Sequence, residues 1–349
     1  MSLHLGFIGF GWMACYHFKY ILPKVEGIFP AAAYDIDPER IKFAESLGLK
    51  PYSDLDSFLE DESLDVVLVA TPNNTHKDLV IAALEHKKHV ICEKPVALNC
   101  AELQAMTACA EKNGKVFSVH QNRRWDKDFC TVKKAIGDGL LGTPYFIETR
   151  VQGANGIPGG WRCEKEAGGG MLYDWGVHSI DQILSIVDSP VAEVYAQLLH
   201  VKYEVDDNVK VLLKFENGTS AFIEIDTNCF QPLPRWHVSG EEGTLLIQDW
   251  KCEGSIVAGT TQEVDWSPEA LDSAAGPTRT MRPRQKDAIR TLPLPVVAPD
   301  WSEYYRNYLA VLAGTEELIV KPEQCMRVLR VLEAAFQSAE KGICVQCKI

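Results

Sequence analysis

The sequence predicts an α/β domain built on a doubly wound parallel sheet, followed by an α+β domain with a largely antiparallel open sheet. Three observations carry this. Strand-like and helix-like segments alternate through the first 121 residues, the pattern of βαβ units. The first strand runs into Gly9-Phe10-Gly11-Trp12-Met13-Ala14, a G-x-G-x-x-[GA] turn that opens a helix. After residue 122, short alternating strands joined by turn residues replace that repeat and read as hairpins. The expected division is therefore 1–121 and 122–349, with the C-terminal helices free to pack back on the first domain. A chain of 349 residues is more than one ordinary core serves.

The elements follow in order. Leu3 to Ile8 is a short buried strand. Gly9 permits the tight turn after it, Gly11 lets the backbone approach a pyrophosphate, and Ala14 is small enough for helix to pack on strand. The free N–H groups of the new helix would face the phosphates, with Trp12 and Met13 beside them. A second strand, Ala31 to Tyr34, ends in Asp35, placed to accept from the adenosine ribose hydroxyls. Together these make a Rossmann-type dinucleotide site. The carboxylate would repel a 2′-phosphate and no Arg directly follows it, so NAD is expected over NADP; Arg40, five residues on, points the other way.

Asp65 to Ala70 (DVVLVA) is a near-continuous apolar strand of the kind buried between helices. The turn Thr71-Pro72-Asn73-Asn74-Thr75-His76 leads to a helix ending near His86. His89 to Cys92 is a strand ending in Glu93-Lys94-Pro95, followed by helix over 100–112 and strand over 115–119. Ligands on such sheets bind at the carboxyl ends of the strands, so Gly9, Asp35, Thr71, Pro72, Asn74, His76, Glu93 and Lys94 share one edge. Pro95 fixes the backbone after Lys94, and the Lys94–Pro95 bond is a candidate for cis geometry.

A helix follows Asn122-Arg123-Arg124-Trp125, then an alternating strand, Tyr145 to Gln152. The stretch GGGMLYDWGVHSID, 168–181, reads as a glycine-flanked helix with Asp174, His178 and Asp181 on one stripe at the edge of an apolar face. His178 hydrogen-bonded to Asp174 as a structural pair is one reading of it; an active acid and imidazole is the other. Five strands between Val191 and Gln248 would form one sheet. From 252 to 299 the reading becomes Gly/Pro/Ser-rich loop carrying Arg279, Arg282, Arg284, Lys286 and Arg290, taken as a solvated basic stretch. Helices over 301–312 and 322–341 close the chain.

Composition narrows the function classes. With 35 basic against 48 acidic residues the net charge is −13, which argues against nucleic acid and anionic membranes as partners. No apolar run approaches the roughly 18 residues of a membrane span. The N-terminus lacks a basic region and cleavage site, so no signal peptide is expected. Eleven scattered cysteines, an odd number, suit a reducing cytoplasm. Cys344 and Cys347 form a lone C-x-x-C, which without a second pair reads as ordinary thiols. No metal is expected.

The motifs Gly9–Ala14, Ala70-Thr71-Pro72-Asn73-Asn74-Thr75-His76, Glu93-Lys94-Pro95, Asn122-Arg123-Arg124-Trp125 and Gly169-Gly170 through Asp174-x-x-x-His178-x-x-Asp181, in that order, resemble the Gfo/Idh/MocA oxidoreductases over nearly the whole chain. The resemblance implies that Lys94 is the catalytic lysine, with Asp174 and His178 the substrate-facing acid and catalytic histidine. It implies hydride transfer between NAD and a secondary alcohol of a sugar, inositol or related polyol. His178 would be the general base, an imidazole whose ordinary pKa lies near neutrality; Lys94 would stabilise the developing alkoxide; Asp174 would orient the substrate. Arg123, Trp161 and Arg162 are further candidates to touch it. An NAD-dependent glycosidase and a non-catalytic NAD/sugar-sensing regulator are the rival readings. A sheet apolar on both faces, as in Val209-Lys210-Val211-Leu212-Leu213, predicts a homodimer or homotetramer packed through the open sheet.

Overall fold

The computed structural model describes residues 2–260, 270–274, 276–278 and 284–349. Arg279 and Arg282 of the basic stretch lie outside the described residues. The first sheet holds β1 (Leu3–Ile8), β2 (Ile28–Tyr34), β3 (Lys50–Tyr52), β4 (Val66–Val69), β5 (His89–Cys92) and β6 (Phe117–Val119), in the order β3-β2-β1-β4-β5-β6. Every pairing is parallel. The chain starts in the middle, winds out through β2 and β3, then returns to wind the other way from β4. The reversal lies between β1 and β4, the place where such sheets open a crevice for ligands. All four residues of β4 are buried, as expected of a strand covered on both faces.

Helices α1 (Trp12–Tyr16), α2 (Pro38–Ser46), α3 (Leu55–Leu59), α4 (His76–Glu85) and α5 (Cys100–Asn113) connect these strands. Helix α5 shows its sequence signals well. Asn99 Oδ1 accepts from Glu102 N at its start, and Gly114 ends it in the left-handed region at φ 63°.

The second sheet has nine strands. These are β7 (Pro144–Gln152), β8 (Val191–Leu199), β9 (Asn208–Phe215), β10 (Ser220–Asp226), β11 (Trp236–Gly240), β12 (Gly243–Ile247), β13 (Gly254–Gly259), β16 (Ile289–Leu292) and β17 (Val345–Gln346). Their order is β16-β13-β12-β11-β7-β10-β9-β8-β17, with a separate ribbon of β14 (Leu271–Ser273) and β15 (Gly276–Thr278). Pairing is antiparallel except between β7 and β10. Along β9, Val209, Val211, Leu213 and Phe215 are buried on one face. Helix α7 (Val177–Ile186) and α9 (Pro322–Lys341) cover that face, while α6 (Lys127–Gly137) follows the crossover from the first sheet.

The loop expected over 252–299 is corrected in part: β13 and β16 pair with each other and extend the sheet. The glycines that read as loop punctuation are strand glycines. A Cβ at Gly254 would lie 1.9 Å from the carbonyl oxygen of Leu246, so only glycine allows that approach.

The C-terminal helices reach back to the first sheet. Tyr305 of α8 (Ser302–Leu312) hydrogen-bonds His17 at 2.7 Å, and Ser118 donates to the Val320 carbonyl at 3.2 Å. Among the described residues, no helix is long and apolar enough to cross a membrane.

Candidate active site

Gly9 sits at φ +84°, where a Cβ would come within 2.8 Å of the Ala70 carbonyl oxygen. At Gly11 a Cβ would meet nothing within 4 Å, so the turn faces open space there. Asp35 ties the turn to β2, with Oδ2 accepting from Phe10 N at 2.7 Å and Oδ1 from Asp37 N at 2.9 Å. This cradle fits a dinucleotide: an uncovered glycine edge at a helix start, with a carboxylate at the next strand end.

The cradle is one end of a cleft of about 1290 Å³ running between the two sheets. Gly9, Gly11, Trp12, Met13, Asp35, Thr71, Pro72, Asn74, Glu93 and Lys94 line it from the first half of the chain. Arg123, Trp161, Arg162, Asp174 and His178 line it from the second. The fold thus brings together every site residue expected from sequence except His76. That histidine is buried behind the loop, its ring nitrogens 2.9 Å from the Pro95 carbonyl and 3.0 Å from the Thr71 carbonyl. It fastens two cleft-lining loops to each other, and its role in touching cofactor is corrected to that. The peptide bond between Lys94 and Pro95 is cis.

The glycine-flanked helix differs from the expectation. Leu172–Gly176 is a π-helical turn, and α7 begins only at Val177. The wider turn breaks the i, i+4 spacing, so the three polar residues do not share one stripe. Asp174 accepts from Lys94 Nζ at 2.9 Å and lies 3.5 Å from Arg162 Nε. Asp181 instead forms a two-pronged pair with Arg124, at 2.6 and 2.8 Å, away from the cleft. No Asp174–His178 hydrogen bond forms among the described residues, and the structural-pair reading of the stretch is set aside.

The three glycines each have a reason: Gly168 sits at φ +77°, where a Cβ would come within 2.4 Å of Leu98 Cδ2. A Cβ at Gly169 would press on the Arg162 carbonyl at 2.4 Å, and one at Gly170 (φ +105°) on Asp206 at 2.2 Å. Asp206 in turn accepts from Leu172 N at 2.6 Å and anchors the π turn.

Electrostatics separate the three central groups. Burial alone would raise the Asp174 carboxyl, but Lys94 and Arg162 outweigh it and hold it below the usual carboxylate range. Burial, with the charges of Lys94 and Arg123 nearby, pushes His178 well below the ordinary imidazole value. The expectation of a pKa near neutrality is therefore corrected: His178 is neutral at physiological pH. Its Nδ1 is buried and has no hydrogen-bond partner among the described residues.

Glu93 is on the ligand edge, as its place at the end of a strand predicts. It lines the cleft, but its Oε1 accepts from His17 Nε2 at 2.7 Å and His120 Nδ1 at 2.8 Å. His17 then accepts from the Tyr305 hydroxyl, an arrangement that uses a neutral imidazole. Burial pushes His17 down to about 4, in agreement with that tautomer. The three ligating atoms lie within 4.8 Å of one another; their mutual hydrogen bonds account for the grouping. This network holds the turn that presents Lys94.

Sequence reasoning missed Trp175 and Trp250. Arg123 stacks on Trp175 at 4.1 Å and approaches Trp250 at 5.6 Å, while Arg235 stacks on Trp250 at 4.3 Å. The Trp175 ring lies 5.9 Å from that of His178. Trp175 was legible as the residue after Asp174; Trp250 sits in a turn with no local signal.

The chain is similar to known proteins over most of its length. A family model described as an oxidoreductase family with an NAD-binding Rossmann fold, GFO_IDH_MocA, matches residues 3–121, and a GFO/IDH/MocA C-terminal domain model matches residues 129–246. The chain is 30% identical to the uncharacterized oxidoreductase YdgJ of Escherichia coli, covering 97% of each chain. It is 28% identical to the scyllo-inositol 2-dehydrogenase (NADP(+)) IolW of Bacillus subtilis, over 82% of this chain and 80% of that one. Its fold superposes on an NAD-binding protein from Listeria innocua with a TM-score of 0.94 at 42% identity, covering 99% of both chains.

Proposed function

Because the chain belongs to the Gfo/Idh/MocA family of oxidoreductases, we propose that it transfers a hydride between nicotinamide and a secondary alcohol of a sugar, inositol or related polyol. One observation carries this reading: Lys94 from the nucleotide-binding sheet meets Asp174 at 2.9 Å, and both share the cleft with His178 and the glycine cradle. A bound dinucleotide would supply the hydride acceptor.

The chain's own groups divide the remaining work. His178, neutral and short of a hydrogen-bond partner, takes the proton of the reacting hydroxyl. Lys94 donates to the same oxygen and stabilises the charge that develops there. Asp174 holds Lys94 and accepts from a neighbouring hydroxyl of the substrate. Arg162, against the Trp161 ring at 4.5 Å, supports Asp174 from the outer side.

NAD is the expected dinucleotide, on the strength of Asp35 alone. Its carboxylate faces the place of the adenosine ribose, where a 2′-phosphate would add like charge. Arg40 lines the same cleft, so the choice between dinucleotides turns on which of the two is nearer the ribose.

Purified protein with NAD and a panel of polyols and aldoses, followed by NADH absorbance, tests the reading. Accumulating NADH with a free polyol supports it. Net hydrolysis of a glycoside without NADH would favour a glycosidase, and binding without either product a sensor.

A further inference from the structure

His178 lines the cleft, yet its Nδ1 is buried and has no hydrogen-bond partner among the described residues. Nε2 is therefore the nitrogen on the cleft side. A neutral imidazole carries one proton, and only its bare nitrogen takes up another. For Nε2 to accept from a substrate hydroxyl, Nδ1 must be the N–H, and a buried N–H needs an acceptor. Burial and the nearby cations Lys94, Arg123 and Arg235 keep the ring neutral, but cations are donors only.

Acceptors are present in the segment packed beside it. Burial alone would raise the Glu93 carboxyl, but His120 and His17 outweigh it and keep it ionised. A carboxylate only accepts, so His120 donates its Nδ1–H there at 2.8 Å. In the neutral ring this leaves His120 Nε2 a bare lone pair, buried and without a partner among the described residues. His17, at 4.4 Å, and the edge of Tyr304, at 4.8 Å, pack on the His120 ring and hold its orientation. Helix α7 is pinned to this segment by Gln182, one turn beyond His178, whose Nε2 donates to the Arg123 carbonyl at 2.8 Å. Gln182 Oε1 is likewise buried without a partner among the described residues. One donor and two acceptors are the set that a single water satisfies, since it accepts once and donates twice.

We propose that His120, backed by Glu93, is a positioning residue for His178: ordered water accepts from His178 Nδ1–H and donates to His120 Nε2 and Gln182 Oε1, which fixes the tautomer whose bare Nε2 faces the cleft. Hydrogen bonds then run from Glu93 through His120 and water to His178. The carboxylate at the far end favours the imidazolium that forms when the substrate proton arrives. One proton moves, from the substrate oxygen to His178 Nε2, and the rest of the relay keeps its own. The proposal rests on the reading of His178 as the base for its consequence, but the tautomer is observed without turnover.

Magic-angle-spinning NMR of the whole protein carrying ¹⁵N-labelled histidine, at neutral pH, reads which ring nitrogen bears the proton. The His178 and His120 signals are assigned by their loss in His178→Ala and His120→Phe. Both rings are expected neutral, with the proton on Nδ1. His120→Phe keeps a ring but has no acceptor, so it moves His178 toward the Nε2–H form and lowers kcat about tenfold or more, with KM changed less than about threefold. His120→Gln, whose amide oxygen reaches the same water, retains the His178 tautomer and most of kcat. A wild-type His178 protonated on Nε2, or a His120 protonated on both nitrogens, overturns the proposal. So does a His178 tautomer unmoved by His120→Phe; if that variant does not fold, the wild-type tautomers decide. NADH formation from a polyol judges the oxidoreductase reading separately: the Nδ1–H tautomer without turnover defeats only that reading, and turnover with the Nε2–H tautomer defeats only the role of His120.

Discussion

Lys94 donates to Asp174 twice, to the carboxylate at 2.9 Å and to the main-chain carbonyl at 2.8 Å, from the edge of the first sheet across to the π turn. Both side chains are largely buried, so the pair is little screened by solvent. Eighty residues of sequence separate them, and the π turn at Leu172–Gly176 is what carries the Asp174 carbonyl and carboxylate toward the lysine together. The contact thus joins the two halves of the chain at the point where chemistry is proposed.

Loss of Lys94 is expected to act on turnover far more than on cofactor binding. Lys94→Ala lowers kcat on the order of a hundredfold or more, the usual scale for one donor to a developing oxyanion. Dinucleotide affinity, followed by fluorescence titration, changes little. Asp174→Asn keeps the shape but loses the charge that holds Lys94. The double variant is then less impaired than the product of the two singles, because they act as a unit. Strictly multiplicative effects would separate the two residues.

The depressed pKa of His178 sets a pH profile. A neutral base at physiological pH is already competent, so the oxidation rate should not rise through about pH 6 to 7 on account of this group. Activity falls only in more acid solution, as the buried ring is forced to take a proton. His178→Ala should cost roughly 10² to 10⁴ in kcat. A sigmoidal rise centred near the ordinary imidazole value, absent in His178→Ala, would show that the ring is charged in the resting protein.

Much of this site was legible because its chemistry is local. Gly9, Gly11 and Asp35 are read from a turn and a strand end, and Lys94 from a strand end followed by proline. What was not legible depends on contacts between distant segments. Nothing near Glu93 announces that His17 and His120 will claim its carboxylate. His76 sits on the ligand edge by sequence, yet its ring turns inward and lies buried between the Pro95 and Thr71 carbonyls, to one of which its single N–H donates. The π turn was invisible because periodicity counts residues and cannot register an added one. The strands β13 and β16 were read as loop because their glycines answer to neighbouring backbone, not to a turn.

Buried neutral histidines also make stability depend on pH. Burial depresses His17 and His89, each to about 4, and lowers His76 and His178 as well. Below about 6.5 the unfolded chain binds protons at these sites that the folded chain does not, so stability is lost as pH falls from there toward 4. Asp206 works the other way: burial raises it to about 6, so its term falls as pH rises from about 4 to 6. The four histidines outweigh Asp206 and the likewise raised Asp126, and Tm should drop by several degrees between about pH 6.5 and 4.5, at ~2–4 °C per kcal/mol. Asp206→Asn keeps an acceptor for Leu172 N and removes the charge, so it should raise Tm at pH 7. A Tm flat in pH, or a lower Tm for this variant, would contradict the assignment.

Asp35 and Arg40 make opposite claims on the adenosine ribose. If the carboxylate governs, NAD binds at least tenfold tighter than NADP, about 1.4 kcal/mol. Asp35→Ala narrows that ratio by removing the repulsion, and Arg40→Ala leaves NAD binding nearly unchanged. A preference for NADP that Arg40→Ala abolishes would reverse the roles of the two residues.

The open face of the second sheet points to self-association. Strand register aligns Tyr195, Leu212, Phe222, Glu148, His237 and Leu246 in one row across six strands, on the face opposite α7 and α9. Tyr195 and Leu212 are exposed. Glu148 is held between Arg150 and His237, at 2.6 and 2.9 Å, which gives the row a polar centre flanked by apolar ends. A row of this kind is self-complementary under a two-fold axis, since the apolar end of one copy meets that of the other. Sheet-on-sheet packing would bury it with strands nearly aligned. Light scattering at micromolar concentration should therefore give a mass at least twice that of the chain. Leu212→Glu with Phe222→Glu places two like charges in the larger apolar end, beside Tyr195, and should yield a folded monomer. A wild-type monomer at that concentration, or an oligomer untouched by both charges, would show that this face is solvated.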